Sequence, residues 1–126
     1  MDPEQRKRLE KDENGLLTYE YIANNINSDG FEKDVDKLVD NIIKVDKTGQ
    51  FVVSTARYIN AIDKERFAPQ IDRLIKAAID VDRERAYLGV LASSIWGDDY
   101  KDRAASLIAS DDNFRRIHKR LFPIGI

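Results

Sequence analysis

The stretch FEKDVDKLVDNIIKVDKTGQFVVSTARYINAID, residues 31–63, recurs as FAPQIDRLIKAAIDVDRERAYLGVLASSIWGDD, residues 67–99. The offset is 36 residues with no gap. Nine positions are identical: Phe31/Phe67, Asp36/Asp72, Leu38/Leu74, Ile43/Ile79, Val45/Val81, Asp46/Asp82, Ala56/Ala92, Ile59/Ile95 and Asp63/Asp99. Conservative matches lie between them: Val35 with Ile71, Lys37 with Arg73, Val39 with Ile75, Lys47 with Arg83, and Phe51 with Tyr87. The agreement falls on apolar positions and turns, as expected of two copies of one supersecondary unit.

The spacing inside each copy identifies the unit. Phe31, Val35, Leu38, Val39 and Ile42 lie on one face of an α-helix, and Phe67, Ile71, Leu74, Ile75 and Ala78 repeat that pattern. A second helical stripe follows in each copy: Phe51, Val52, Thr55, Ala56 and Ile59, then Tyr87, Leu88, Leu91, Ala92 and Ile95. Asp46 and Asp82 stand between the stripes. A short carboxylate there can accept from the free N–H groups that open the second helix and suits the positive end of its dipole. Capping, not catalysis, is therefore the first reading of these acids.

The same chemistry marks the boundaries. Asn27-Ser28-Asp29-Gly30 closes one helix and opens the next, with Gly30 free to take a left-handed backbone. Asp63 and Asp98-Asp99 hold the equivalent turns, and Pro69 falls early in its helix, where a missing N–H costs little. Asp2-Pro3-Glu4 is a helix start, although residues 4–14 are polar apart from Leu9. That segment reads as a solvated cap or a frayed one. The organisation expected is a single domain over 1–126: a polar cap at 1–14, a half repeat at 15–30 on Leu16, Tyr19, Ile22, Ala23 and Ile26, repeats at 31–66 and 67–99, and a divergent terminal repeat at 100–126. In the last, Tyr100, Ala104, Leu107 and Ile108 restart the first stripe, and a final helix runs from Asn113 to Phe122, stopped by Pro123.

Residues 67–99 resemble a HEAT or armadillo-type helical repeat. The likeness rests on Pro69 early in the first helix, Asp82 at the inter-helix turn, Arg85 early in the second helix, and Ala86 with Leu88-Gly89 after it. The copy at 31–63 departs from it, with Lys33, Gly49 and Val53 in place of Pro69, Arg85 and Gly89. The resemblance implies an all-α fold, a right-handed α-solenoid or α-α superhelix of stacked helix–turn–helix repeats. It also implies a scaffold for binding proteins, less often nucleic acids. Architecture alone assigns no function.

Composition narrows the classes. Hydrophobic residues are 42% and charged residues 35% of 126, a globular balance with a heavily charged surface. No cysteine is present, so disulfides and thiolate metal sites are excluded, and a single histidine leaves no donor set for zinc. Neither a membrane-spanning run nor a leader pattern is found, so a cytoplasmic setting without membrane, metal or cofactor is expected. Nucleotide-binding glycine motifs, a nucleophile elbow and paired metal ligands are likewise missing. His118 stands among Arg115, Arg116, Lys119 and Arg120, which reads as a solvated basic helix face.

The expectation is a non-catalytic protein-interaction module. With the core stripes removed, Arg57, Tyr58 and Asn60 in one copy and Ser93 and Trp96 in the other remain on the second helices, at positions where the copies differ. Tyr, Trp and Arg are the usual interface anchors. The bland reading is that Tyr58 and Trp96 seal the gap between neighbouring units. Arg115, Arg116, Lys119 and Arg120 form a basic patch in a chain of net charge −2, which offers nucleic-acid or acidic-partner binding as the alternative. For nucleic acid no aromatic platform accompanies the charges, so that reading is the weaker one. A small inhibitor of immunity type is another concrete form of the module. The apolar tail Leu121–Ile126 either folds back on the last unit or docks on another subunit.

Overall fold

The computed structural model describes residues 1–124; Gly125 and Ile126 lie outside the described residues. The protein is all-helical. Among the described residues there are eight α-helices: α1 (Pro3–Glu10), α2 (Leu16–Asn25), α3 (Phe31–Val45), α4 (Gln50–Asp63), α5 (Ala68–Val81), α6 (Leu88–Trp96), α7 (Ala104–Ser110) and α8 (Asp112–Leu121). None is long and apolar enough to cross a membrane.

Both expected stripes are buried. Phe31, Val35, Leu38, Val39 and Ile42 of α3 and Ile71, Leu74, Ile75 and Ala78 of α5 enter one core, joined by Val52, Ala56 and Ile59 of α4 and Leu88, Leu91 and Ala92 of α6. Phe31 meets its counterpart Phe67 edge to face, with centroids 6.0 Å apart. Helices α1, α3 and α5 touch in sequence, as do α2, α4 and α6, so first and second helices form two rows. Helix α8 packs on both α5 and α6.

The turns between the rows are built by buried aspartates. Asp46 accepts from the N–H groups of Thr48 (3.0 Å), Gly49 (2.9 Å), Phe51 (2.9 Å) and Val52 (2.8 Å). Its own N–H closes α3 by donating to the Ile42 carbonyl. One residue thus ends a helix and satisfies the free donors of the next. Asp82 does the same with the N–H groups of Ala86, Tyr87 and Leu88 at 2.7–2.9 Å. A third turn is identical in kind: Asp12 accepts from Asn14, Gly15 and Thr18 N–H and from the Thr18 hydroxyl. The capping expected of Asp46 and Asp82 is therefore present, but it acts from outside the helix, Asp46 lying three residues before Gly49, which precedes α4.

These turns also touch one another. Gly15 (φ +105) and Gly49 (φ +94) are left-handed. A Cβ on Gly49 would lie 3.1 Å from the Cβ of Asp82, and one on Gly15 would lie 3.0 Å from Cβ of Phe51 and 3.4 Å from that of Asp46. Each turn presses on the next, and only glycine leaves the room.

At the N-terminus the polar segment is a formed helix. Asp2 accepts from Gln5 N–H at 2.8 Å, Leu9 is buried, and Asn41 of α3 donates to the Leu9 carbonyl at 2.8 Å. At the other end the expectation needs correcting. Tyr100 does not begin a helix; residues 97–103 make successive tight turns, with Tyr100 N–H on the Gly97 carbonyl and Arg103 N–H on the Tyr100 carbonyl. Gly97 at φ +98, followed by Asp98-Asp99, favours that path. Tyr100 is still buried, edge to face on Phe114. Of the apolar tail, Leu121 and Phe122 pack on the core and Ile124 is exposed; its last two residues lie outside the described residues.

Burial alone pushes the Asp12 carboxyl pKa up, but the bonds from Thr18, Gly15 and Asn14 outweigh it and hold the pKa below the ordinary carboxylate value. A depressed folded-state pKa stabilises the fold above the unfolded pKa and loses that contribution as pH falls through the folded value. The stability gap between the wild type and Asp12→Asn should therefore be full at neutral pH and shrink below about pH 4, measured by urea unfolding across pH. Asp46→Ala strands four N–H groups and should cost about 3 kcal/mol in the same assay at pH 7.

Candidate functional site

The row of second helices holds the residues expected to meet a partner, and most are engaged within the fold. Trp96 donates from Nε1 to Asp111 Oδ2 at 2.9 Å, and its ring meets Phe114 edge to face at 5.2 Å. The other Asp111 oxygen caps α8 by accepting from Phe114 N–H. Trp96 thus fastens α6 to α8. Tyr58 stands edge to face on Tyr19, its hydroxyl 3.5 Å from the Ala23 carbonyl, and so seals α4 against α2. Asn60 donates to the Ser94 carbonyl at 3.3 Å and Arg57 Nε to the Ser94 hydroxyl at 2.8 Å. Ser93 is half-buried, its carbonyl accepting from Gly97 N–H. Arg57 alone of the five is exposed.

The basic residues of α8 are brought to a different setting. A cleft of about 890 Å³ opens between α8 and the α5–α6 turn, lined by Ile79, Asp80, Arg83, Arg85, Arg115, Arg116, Lys119, Arg120 and Pro123. Six cations face one carboxylate. Their spacing explains the geometry: Arg115 and Lys119 share one edge of α8, while Arg116 and Arg120 share the next. The inner pair is anchored, Arg116 to Asp80 at 3.4 Å and Arg120 to the carbonyls of Ile79 and Asp82. Arg115 is held by Asp112, one helical turn back, at 2.7 Å. Arg83, Arg85 and Lys119 are exposed and make no ion pair with any described residue.

Such a wall attracts anions. Asp112 and Asp80 partly offset Arg115 and Arg116, so Arg83, Arg85, Lys119 and Arg120 supply most of the positive field in the cleft. Arginine's planar fork matches a carboxylate or phosphate with two parallel hydrogen bonds. A smaller hollow of about 300 Å³ beside α1 offers no such bias. There Arg6, Lys37 and Lys44 alternate with Glu10 and Asp40.

Other candidates contain less. His118 lies between the rings of Phe114 and Phe122, with centroids 5.7 and 4.9 Å away. Among the described residues no group of three or more His, Asp or Glu could hold a metal ion. The Asp72 carboxyl is held below the ordinary value, mainly by the Lys76 ammonium and further by Asn113, which tie α5 together and to α8.

Reading the sequence from α8 alone misses Arg83 and Arg85. A signal for them exists: aligning 12–15, 46–49 and 82–85 on their aspartates places Arg85 where the other turns have glycine. No family model, curated protein or solved structure matches this chain.

If Trp96 is a fastener, Trp96→Ala should lower stability by about 3 kcal/mol, read by urea unfolding. Trp96→Phe, which keeps the ring and loses the bond to Asp111, should cost about 1 kcal/mol.

Proposed function

We propose that this chain is a non-catalytic interaction module, and that it takes an anionic partner in the cleft between α8 and the α5–α6 turn. The observation that carries the reading is the gathering of six cations around a single carboxylate in a chain whose net charge is −2. Charge of one sign in a walled cleft focuses the field and steers a partner of opposite sign. The scaffold is read as a right-handed stack of HEAT- or armadillo-like hairpins. Supporting this are the two rows of helices, the recurring aspartate turn and the glycine contacts from turn to turn. On the same grounds residues 1–30 form a full hairpin around Asp12 rather than a cap and a half unit.

A second reading keeps the partner on the row of second helices. Arg57 and Val90 are exposed there, Val90 at 47%, although Trp96, Tyr58 and Asn60 are occupied in packing. One experiment separates the two. Retention on immobilised polyanions, heparin and polyglutamate, is measured as salt is raised, with helicity followed by circular dichroism. Arg115→Glu combined with Lys119→Glu should remove retention without loss of helicity. Arg57→Glu should leave it unchanged. Loss of retention only with Arg57→Glu would move the site to the second helices. A wild-type protein that no polyanion retains at low salt would overturn the cleft reading.

A further inference from the structure

We infer that the occupant of this cleft is a carboxylate-rich segment of another protein chain, and that Arg85 is held in a left-handed backbone conformation in order to grip it. The inference rests on the cleft reading above.

The aspartate turn is built three times, and its fourth residue is left-handed each time: Gly15 at φ +105, Gly49 at φ +94 and Arg85 at φ +57. Arg85 is the one non-glycine residue with positive φ among the described residues. An L side chain is strained there, and glycine or asparagine is the easier choice. Arg85 gives nothing back to the fold through its side chain. Its guanidinium forms no hydrogen bond or ion pair with a described residue, and it lines the cleft beside Arg83. Strain kept at a residue with no internal partner points to a ligand.

The class of ligand follows from the walls. At about 890 Å³, with Arg83 and Arg85 on one side and Arg115 and Lys119 on the other, the cleft is too large for one small oxyanion. It suits an occupant carrying several separated charges. A phosphodiester strand fits poorly. No aromatic ring lines the cleft for bases to stack on. An acidic peptide fits better: its carboxylates meet the arginine forks, while Pro123 and the edge of Ile79 offer apolar contact to the residues between.

The test uses fluorescence anisotropy with three labelled probes: a short peptide of alternating Glu and Leu, the same peptide with Gln for Glu, and a single-stranded oligonucleotide. The full chain is compared with Arg85→Gly, Arg85→Lys and Arg115→Glu combined with Lys119→Glu. The expected result is salt-sensitive binding of the Glu peptide alone. Arg85→Gly should weaken it on the order of tenfold, the loss of one charge-assisted contact, with no fall in Tm, and Arg85→Lys should recover part of it. If Arg85→Gly binds like the wild type while the α8 variant does not, the role of Arg85 is overturned and the cleft reading survives. Should Arg85→Gly lower Tm by more than a few degrees, the strain argument fails. Tighter binding of the oligonucleotide than of the Glu peptide overturns the partner class. Binding of the Glu peptide that the α8 variant does not alter overturns the cleft reading itself.

Discussion

A carboxylate taken out of water is tolerated only when donors surround it, and here the donors are the N–H groups that open the following helix. Asp12, Asp46 and Asp82 are each almost wholly buried, and each solves two problems at once. The charge needs hydrogen bonds, and the second helix of each hairpin needs its first donors satisfied inside a core. Thr18, Phe51, Val52, Tyr87 and Leu88 supply their N–H groups to these acids while their side chains pack inward, Thr18 adding its hydroxyl. The path of the chain from each of these first helices into the next follows from that arrangement.

Much of this was legible in the chain. The stripes of α3 to α6 follow from apolar spacing, and the recurrence at an offset of 36 identifies Asp46 and Asp82 as equivalent. The packing of α1 is harder to read because it has one buried apolar residue, Leu9, and so presents no stripe. Its signature lies in Asp12-Glu13-Asn14-Gly15 set against Asp46-Lys47-Thr48-Gly49, a turn signal rather than a hydrophobic one. The restart expected at Tyr100 was misplaced for the opposite reason. Its ring is buried like a stripe residue, but it reaches the core from a turn.

Surface roles were less legible, because they depend on what lies opposite. Nothing in the sequence couples Trp96 to Asp111, or Arg57 to Ser94, 37 positions away. The basic run of α8 is plain in the sequence, yet its meaning changes when the α5–α6 turn contributes Arg83 and Arg85 to the same cleft. An isolated basic helix face is ordinarily solvated; two basic elements facing each other concentrate positive charge in one cleft.

The contact between turns carries one more consequence. Gly15 and Gly49 admit the next turn because neither bears a side chain, and the third turn bears arginine at the same place. At Gly15 and Gly49 a side chain would force neighbouring turns apart, so the approach of the helices there is set by a missing Cβ. Behind Arg85 it is α8 that packs on α5 and α6, and the arginine lines the cleft left beside it.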